Sequence, residues 1–239
     1  MTTLVLAAHG SRDPRFGVTA RRVADAVRIA LPGVTVELAY LDLTAPLLTD
    51  VLGSVSGEVV VVPLLFGDGY HSKVDLPALI DAAHAANPAA TIVQTPVVGR
   101  HSPVPALVER LSEAGAGPRD GVLMLAVGSS DAGSDASVIG RGRELSAALD
   151  RPVRTLFATR LGRDGAAVRE TVDALLADGA DRVAVSPLFL SAGLLTDRVE
   201  RYLDAIDVPM VVAGPVADHP CLVDAVARLY TAAAVVVAS

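Results

Sequence analysis

The chain has 239 residues, 51% of them hydrophobic, which is enough for one large α/β domain or two smaller ones with their own cores. A net charge of −7 with a pI near 5.2 excludes the broad cationic surface that nucleic acid or an anionic membrane selects. The single cysteine, Cys221, excludes an internal disulfide and any multi-cysteine metal centre, and beside Leu222 and Val223 it reads as a small buried hydrophobe.

The first predicted element is an apolar strand, TLVLAA, that runs directly into AAHGSRDPR at 7–15. No basic stretch, apolar core and cleavage site precede it, so the expected location is the cytoplasm. Val23, Val27, Ala30 and Leu31 then recur at helical spacing. The runs TVELAYL, EVVVVPLLF and TIVQTPVV follow, several of them apolar throughout, as strands covered on both faces are. The segment SEAGAGPRDG, 112–121, concentrates glycine, proline and charge and reads as a linker. Beyond it come VLMLAV, PVRTLFA, a helix through Val168, Val172, Leu175 and Leu176, RVAVSPLFL, a helix through Val199, Tyr202, Leu203 and Ile206, and PMVVAG. The longest apolar runs, VVVVPLLF and AAAVVVA, are far shorter than the ~18 residues of a membrane span.

The two halves repeat one another. AAHGSRD at 7–13 aligns with LAVGSSD at 125–131 at an offset of 118, and Pro63 aligns with Pro187 at an offset of 124. PVVGRHSPVPALV and PVADHPCLV form a third pair in the same order. The expected fold is therefore two similar doubly wound α/β domains, 1–116 and 117–239, each with a four-stranded parallel sheet flanked by helices. Val127 and Leu195 stand where the first copy has His9 and His71.

In an open parallel sheet, ligands bind beyond the carboxyl ends of the strands. Strand one ends in His9, Gly10, Ser11 and Arg12, strand two near Asp42, and strand three in Gly67, Asp68, Gly69, Tyr70, His71, Ser72 and Lys73. Gly67 and Gly69 are read as free to take positive φ beside a large ligand. Two imidazoles and a carboxylate suit a borderline divalent ion, and neutral imidazoles also accept protons near neutral pH. The bland readings are that each histidine is a hydrogen-bonded loop residue, and that Asp42, or Ser11 with Asp13, caps a helix. His84 is read as a half-buried structural histidine, His101 and His219 as solvated or turn-forming, and Arg21 and Arg22 as a solvated helix face.

HGSRDPR, YLDLTAP and PLLFGDGYHSKVDLP together resemble the class II chelatases, the sirohydrochlorin cobalto- and ferrochelatases of the CbiX/SirB group, and the resemblance spans nearly the whole chain. It implies insertion of a divalent ion, as substrate, into sirohydrochlorin, a carboxylate-bearing tetrapyrrole, within a cleft between the two domains. His9 and His71 carry over as metal ligands and acceptors of the pyrrole protons. Asp42 is the third ligand, at a position where many relatives have glutamate. Ser11, Arg12, Gly69, Tyr70, Ser72, Lys73 and, from the second copy, Ser129 and Ser130 are the candidates to hold the macrocycle. No organic cofactor is implied, and a single chain is expected to form the site. The chain has no histidine-rich tract among its five histidines, so iron, for sirohaem, is expected ahead of cobalt, for cobalamin. The rival from another class is a non-catalytic tetrapyrrole or metal carrier. A phosphoryl-transfer enzyme with His9 as nucleophile is disfavoured, because Ala8 stands where histidine phosphatases have arginine.

Overall fold

The computed structural model describes residues 2–237. The chain forms two compact units: one contains the residues up to His101 together with those from Asp218 onward, the other runs from Ser102 to Ala217.

The first unit begins β1 (Thr3–Ala8), α1 (Pro14–Ala30), β2 (Thr35–Tyr40), α2 (Leu48–Ser54) and β3 (Gly57–Pro63). A π-helical turn, His71–Asp75, continues into α3 (Leu76–Ala86), and β4 (Ala90–Gln94) completes a parallel sheet of order β2-β1-β3-β4. Leu6 pairs with Leu38 on one side and Val62 on the other, which fixes the register of the central strands. β1 has no exposed side chain from Leu4 to Ala8 because both faces of the sheet are covered. On one face Val5, Ala7, Val59 and Val61 pack against Leu48 and Leu52 of α2 and Leu76 and Ile80 of α3.

α1 starts where Asp13 accepts a hydrogen bond from Arg15 N, a side-chain cap next to Pro14 at the first helical position. Its buried stripe is Ala20, Val23, Ala24 and Val27, whereas Ala30 is exposed in the last turn. The stripe therefore lies one turn earlier than the periodicity predicts. EVVVVPLLF is likewise strand only to Pro63: Leu64 N still donates to Ala7 O at 2.8 Å, but β1 ends at Ala8 and offers no further partner.

The second unit contains α4 (Val104–Glu113), β5 (Asp120–Ala126), α5 (Ala132–Leu149), β6 (Val153–Phe157), α6 (Ala166–Ala177), β7 (Arg182–Pro187), α7 (Leu194–Leu203) and β8 (Met210–Val212). Its sheet order, β6-β5-β7-β8, is parallel and repeats that of the first. Leu123, Leu125, Val183 and Val185 pack against Val168, Val172 and Leu175 of α6 and Val199 and Leu203 of α7.

The last helix, α8 (Pro220–Val237), belongs to the first unit, and α4 to the second. The sequence division expected at 116/117 separates the repeat copies, but each compact unit takes its closing helix from the other copy. α8 packs on α1 and β3, and Tyr230 Oη donates to Thr2 O at 3.4 Å. Arg22, read as solvated, pairs with Asp218 where the chain re-enters this unit. α4 packs on α5 and β7, with Arg110 Nε donating to Pro215 O at 3.2 Å. Among the described residues no helix is long and apolar enough to cross a membrane.

Candidate functional site

In the order β2-β1-β3-β4 the chain winds away from β1 in both directions, so the loops after β1 and β3 diverge and leave an opening at their carboxyl ends. His9 follows β1 immediately, and His71 opens the π-helical turn after β3. Their Nε2 atoms lie 3.1 Å apart, with ring centroids separated by 4.4 Å and planes at 87°.

The outer nitrogens determine what that contact is. His71 Nδ1 lies 2.6 Å from Asp75 Oδ2, and His9 Nδ1 lies 3.3 Å from Gly10 O. A carboxylate and a carbonyl can only accept, so both Nδ1 atoms carry the hydrogen. In the neutral rings both Nε2 lone pairs then face each other, an arrangement that requires a proton or a cation between them. A divalent ion at roughly 2.0–2.1 Å from each nitrogen would subtend an angle of roughly 100°, within the range such ions accept. Burial, and then the neighbouring His71, hold the His9 imidazole below its ordinary pKa, which favours the neutral, ligating form.

The loops are held by their own bonds. Gly10 has φ +95°, and a Cβ there would lie 1.8 Å from Asp42 O. Only glycine permits that approach, which also lets Asp42 N donate to His9 O at 3.1 Å. Thr44 Oγ1 donates to Ser11 O and accepts from Ser11 N, each at 3.0 Å. Across the opening, Ser72 Oγ donates to Asp68 Oδ1 at 2.8 Å and to Gly69 O at 2.9 Å, and Gln94 Nε2 donates to Ser72 O at 2.9 Å.

The structure thus brings His9 and His71 together, and Asp42 makes no hydrogen bond to either ring. The Asp42 carboxylate is exposed and accepts from Leu43 N at 2.7 Å, and no set of three His, Cys, Asp or Glu able to hold an ion forms among the described residues. Ser72 is buried, and its hydroxyl is bonded within its own turn. The hydroxyl of Ser11 accepts from Asp13 N at 3.0 Å, the turn-and-cap arrangement of the bland reading. Arg12, Tyr70 and Lys73 are exposed along the two loops, and Gly69 is buried. The positive φ of the site lies at Gly10 rather than at Gly67 or Gly69.

His84 is half-buried, with Nε2 3.2 Å from Ile92 O, as the bland reading has it. His219 is buried, not solvated, and its Nδ1 accepts from Cys221 N at the start of α8; Cys221 is half-buried. Sequence reasoning missed Asp75, although HSKVD places a carboxylate four residues after the histidine, one helical turn on. It also missed Thr44, whose role depends on a contact across 33 residues.

In the second unit the same strand ends are differently furnished. Val127 is exposed after β5, and Leu195 is half-buried against the core. Ser129 Oγ accepts from Asp131 N at 3.0 Å, repeating the Ser11–Asp13 turn, while Ser130 is exposed. Arg160 lies over the Phe157 ring at 4.5 Å and pairs with the buried Asp135.

These features define a duplicated α/β protein with a pair of facing histidines in its first copy only. The chain belongs to the CbiX family: the model described as CbiX matches residues 3–114 and again 121–233. A sirohydrochlorin cobaltochelatase of Priestia megaterium is 27% identical over 243 aligned positions, covering 93% of this chain and 76% of that protein. The fold matches the sirohydrochlorin chelatase SirB of Bacillus subtilis subspecies spizizenii, solved with cobalt, at a TM-score of 0.76 and 20% identity over 95% of this chain and 93% of the other. SirB from Bacillus subtilis with Fe3+ gives a TM-score of 0.77 at 20% identity, over 96% of this chain and 94% of that one.

Proposed function

We propose that the protein is a sirohydrochlorin chelatase that inserts a divalent ion, Fe2+ or Co2+, into the macrocycle, with His9 and His71 binding the ion and taking the two pyrrole protons. The observation that carries this reading is the pair of Nε2 lone pairs facing one another at 3.1 Å, with both outer nitrogens committed to acceptors. Membership of the CbiX family supports it, as does the name of the Priestia megaterium relative. Two protein ligands leave most of the ion's coordination sphere to water, so the ion is delivered rather than trapped. Each of the two protonated pyrrole nitrogens must give up its proton to a base so that the electron pair of the broken N–H bond can bind the ion. An imidazole released from the ion is a base of suitable strength at the right place. Arg12, Tyr70 and Lys73, exposed on the same loops, are proposed to hold the macrocycle, Arg12 and Lys73 through its carboxylates. Asp42 is proposed to draw cations electrostatically rather than to ligate them. Two imidazoles take either metal, so the site itself gives iron no advantage over cobalt.

The reading includes no organic cofactor, a single chain as the working unit and a cytoplasmic location. Spectrophotometric mixing of the protein with sirohydrochlorin and Fe2+ or Co2+ tests it. Insertion faster than the protein-free rate, abolished by His9→Ala, is expected. A protein that binds either substrate yet leaves insertion at the protein-free rate is a carrier, and overturns the reading.

A further inference from the structure

The π-helical turn that carries His71 ends in a carboxylate that does nothing for the helix. Asp75 stands at the N-cap of α3, but its side chain makes no capping hydrogen bond. The bond that it does make, at 2.6 Å, is to His71 Nδ1. The second copy provides an internal comparison. At the offset of 124, Gly69 and Ser72 correspond to Gly193 and Thr196, and the hydroxyl-to-carbonyl bond that braces the turn is retained: Ser72 Oγ to Gly69 O at 2.9 Å, Thr196 Oγ1 to Gly193 O at 2.8 Å. His71 and Asp75 correspond to Leu195 and Val199, and Val199 is fully buried in the second core. The brace therefore survives without the two residues, and they are lost together. The π-helical distortion is lost with them, since α7 starts as regular α-helix at Leu194. Such distortions are frequent at functional sites.

We propose that Asp75 is a positioning residue for metal capture: it holds His71 in the Nδ1–H tautomer and fixes the ring plane, so that the Nε2 lone pair points at the ion shared with His9. The carboxylate–imidazole–metal relay is a general device for orienting a ligand and strengthening its donation. Without the carboxylate, the exposed His71 ring is free to rotate and to place its hydrogen on Nε2, where it opposes a cation. The metal-binding part of this inference stands on the His9–His71 pair; its effect on turnover rests on the chelatase reading.

The test uses the full chain with Asp75→Ala, Asp75→Asn and Asp75→Glu, and Co2+ alone as the probe, titrated calorimetrically. Asp75→Ala is expected to weaken Co2+ binding by about 10- to 100-fold, Asp75→Asn less because it keeps an acceptor, and Asp75→Glu is expected to recover part of the loss. Imidazole 15N spectra are expected to report the Nδ1–H tautomer for His71 in the unaltered chain and a tautomer mixture in Asp75→Ala. In the insertion assay kcat falls while KM for sirohydrochlorin holds, and the melting temperature stays put because the side chain braces nothing else. Unchanged Co2+ affinity or an unchanged tautomer in Asp75→Ala would overturn the inference and leave the chelatase reading intact. The expected Co2+ losses in a chain that never metallates sirohydrochlorin would do the reverse. Co2+ binding that does not depend on His9 in the unaltered chain would overturn both.

Discussion

Replacing Gly10 by alanine tests whether the approach of the β1 and β2 loops builds the histidine pair. The added Cβ would lie 1.8 Å from Asp42 O, whereas real Cβ atoms essentially never come within 3.0 Å of a heavy atom beyond their own residue and its chain neighbours, so the two loops must part by roughly 1.2 Å. The backbone adds its own cost, because a non-glycine residue at φ +95° is strained by about 1–2 kcal/mol. Gly33→Ala is the matched control: φ is +86° and nothing lies within 4 Å of the added carbon, so it carries the backbone strain alone. Gly33→Ala is expected to cost about 1 kcal/mol and leave metal binding untouched. Gly10→Ala is expected to cost about 3 kcal/mol or more and, by moving His9 about 1 Å against His71, to lower insertion by on the order of 100-fold. Urea unfolding gives the first quantity, and Co2+ titration with initial insertion rates gives the second. Equal stability of the two variants, or a Gly10→Ala protein that binds Co2+ as the unaltered chain does, would refute the argument.

Other outcomes follow from the same geometry. His9→Ala is expected to remove the rise in melting temperature that Co2+ produces by binding the folded chain, without unfolding the protein in the absence of metal. Because the His9 pKa is lowered in the folded state, the unfolded chain takes up that proton first as pH falls. The His9 contribution is therefore nil above the ordinary imidazole range and destabilising below it, growing as pH falls towards the lowered folded value. Urea midpoints measured across that range are expected to lose this part of their slope in His9→Ala. Ser72→Ala is expected to cost about 1 kcal/mol and leave KM for sirohydrochlorin unchanged, since the buried hydroxyl serves its own turn. Arg182→Ala takes from the buried Asp120 the guanidinium bonded to it at 2.7 Å, leaving Gly117 N as a donor, and is expected to lower the midpoint of thermal or urea unfolding.

The architecture was legible because it rests on composition local to each element. Runs such as VVVV at 59–62 permit little but a strand buried on both faces, and the repeat fixed the count of strands in each unit. The two histidines were legible for the same reason: each directly follows an unmistakable strand, and parallel topology brings such ends together. What stayed hidden depends on contacts that sequence spacing does not encode. Asp42 lies on the correct loop, yet its carboxylate turns to Leu43 N instead of the imidazoles. The hydroxyl of Ser72 is bonded to Asp68 and Gly69 within its own turn. Asp75 was visible in principle, four residues after His71, and became informative only when its loss in the second copy could be set beside the retained brace at Thr196.

The exchange of closing helices has a consequence for how this duplicated chain can be divided. A fragment ending near residue 116 would take along α4, which packs on the other unit, and would leave behind α8, which covers α1 and β3. Its partner fragment would have the opposite mismatch. Fission at the boundary where the ancestral copies were joined therefore yields two incomplete halves, each lacking the helix that covers its sheet.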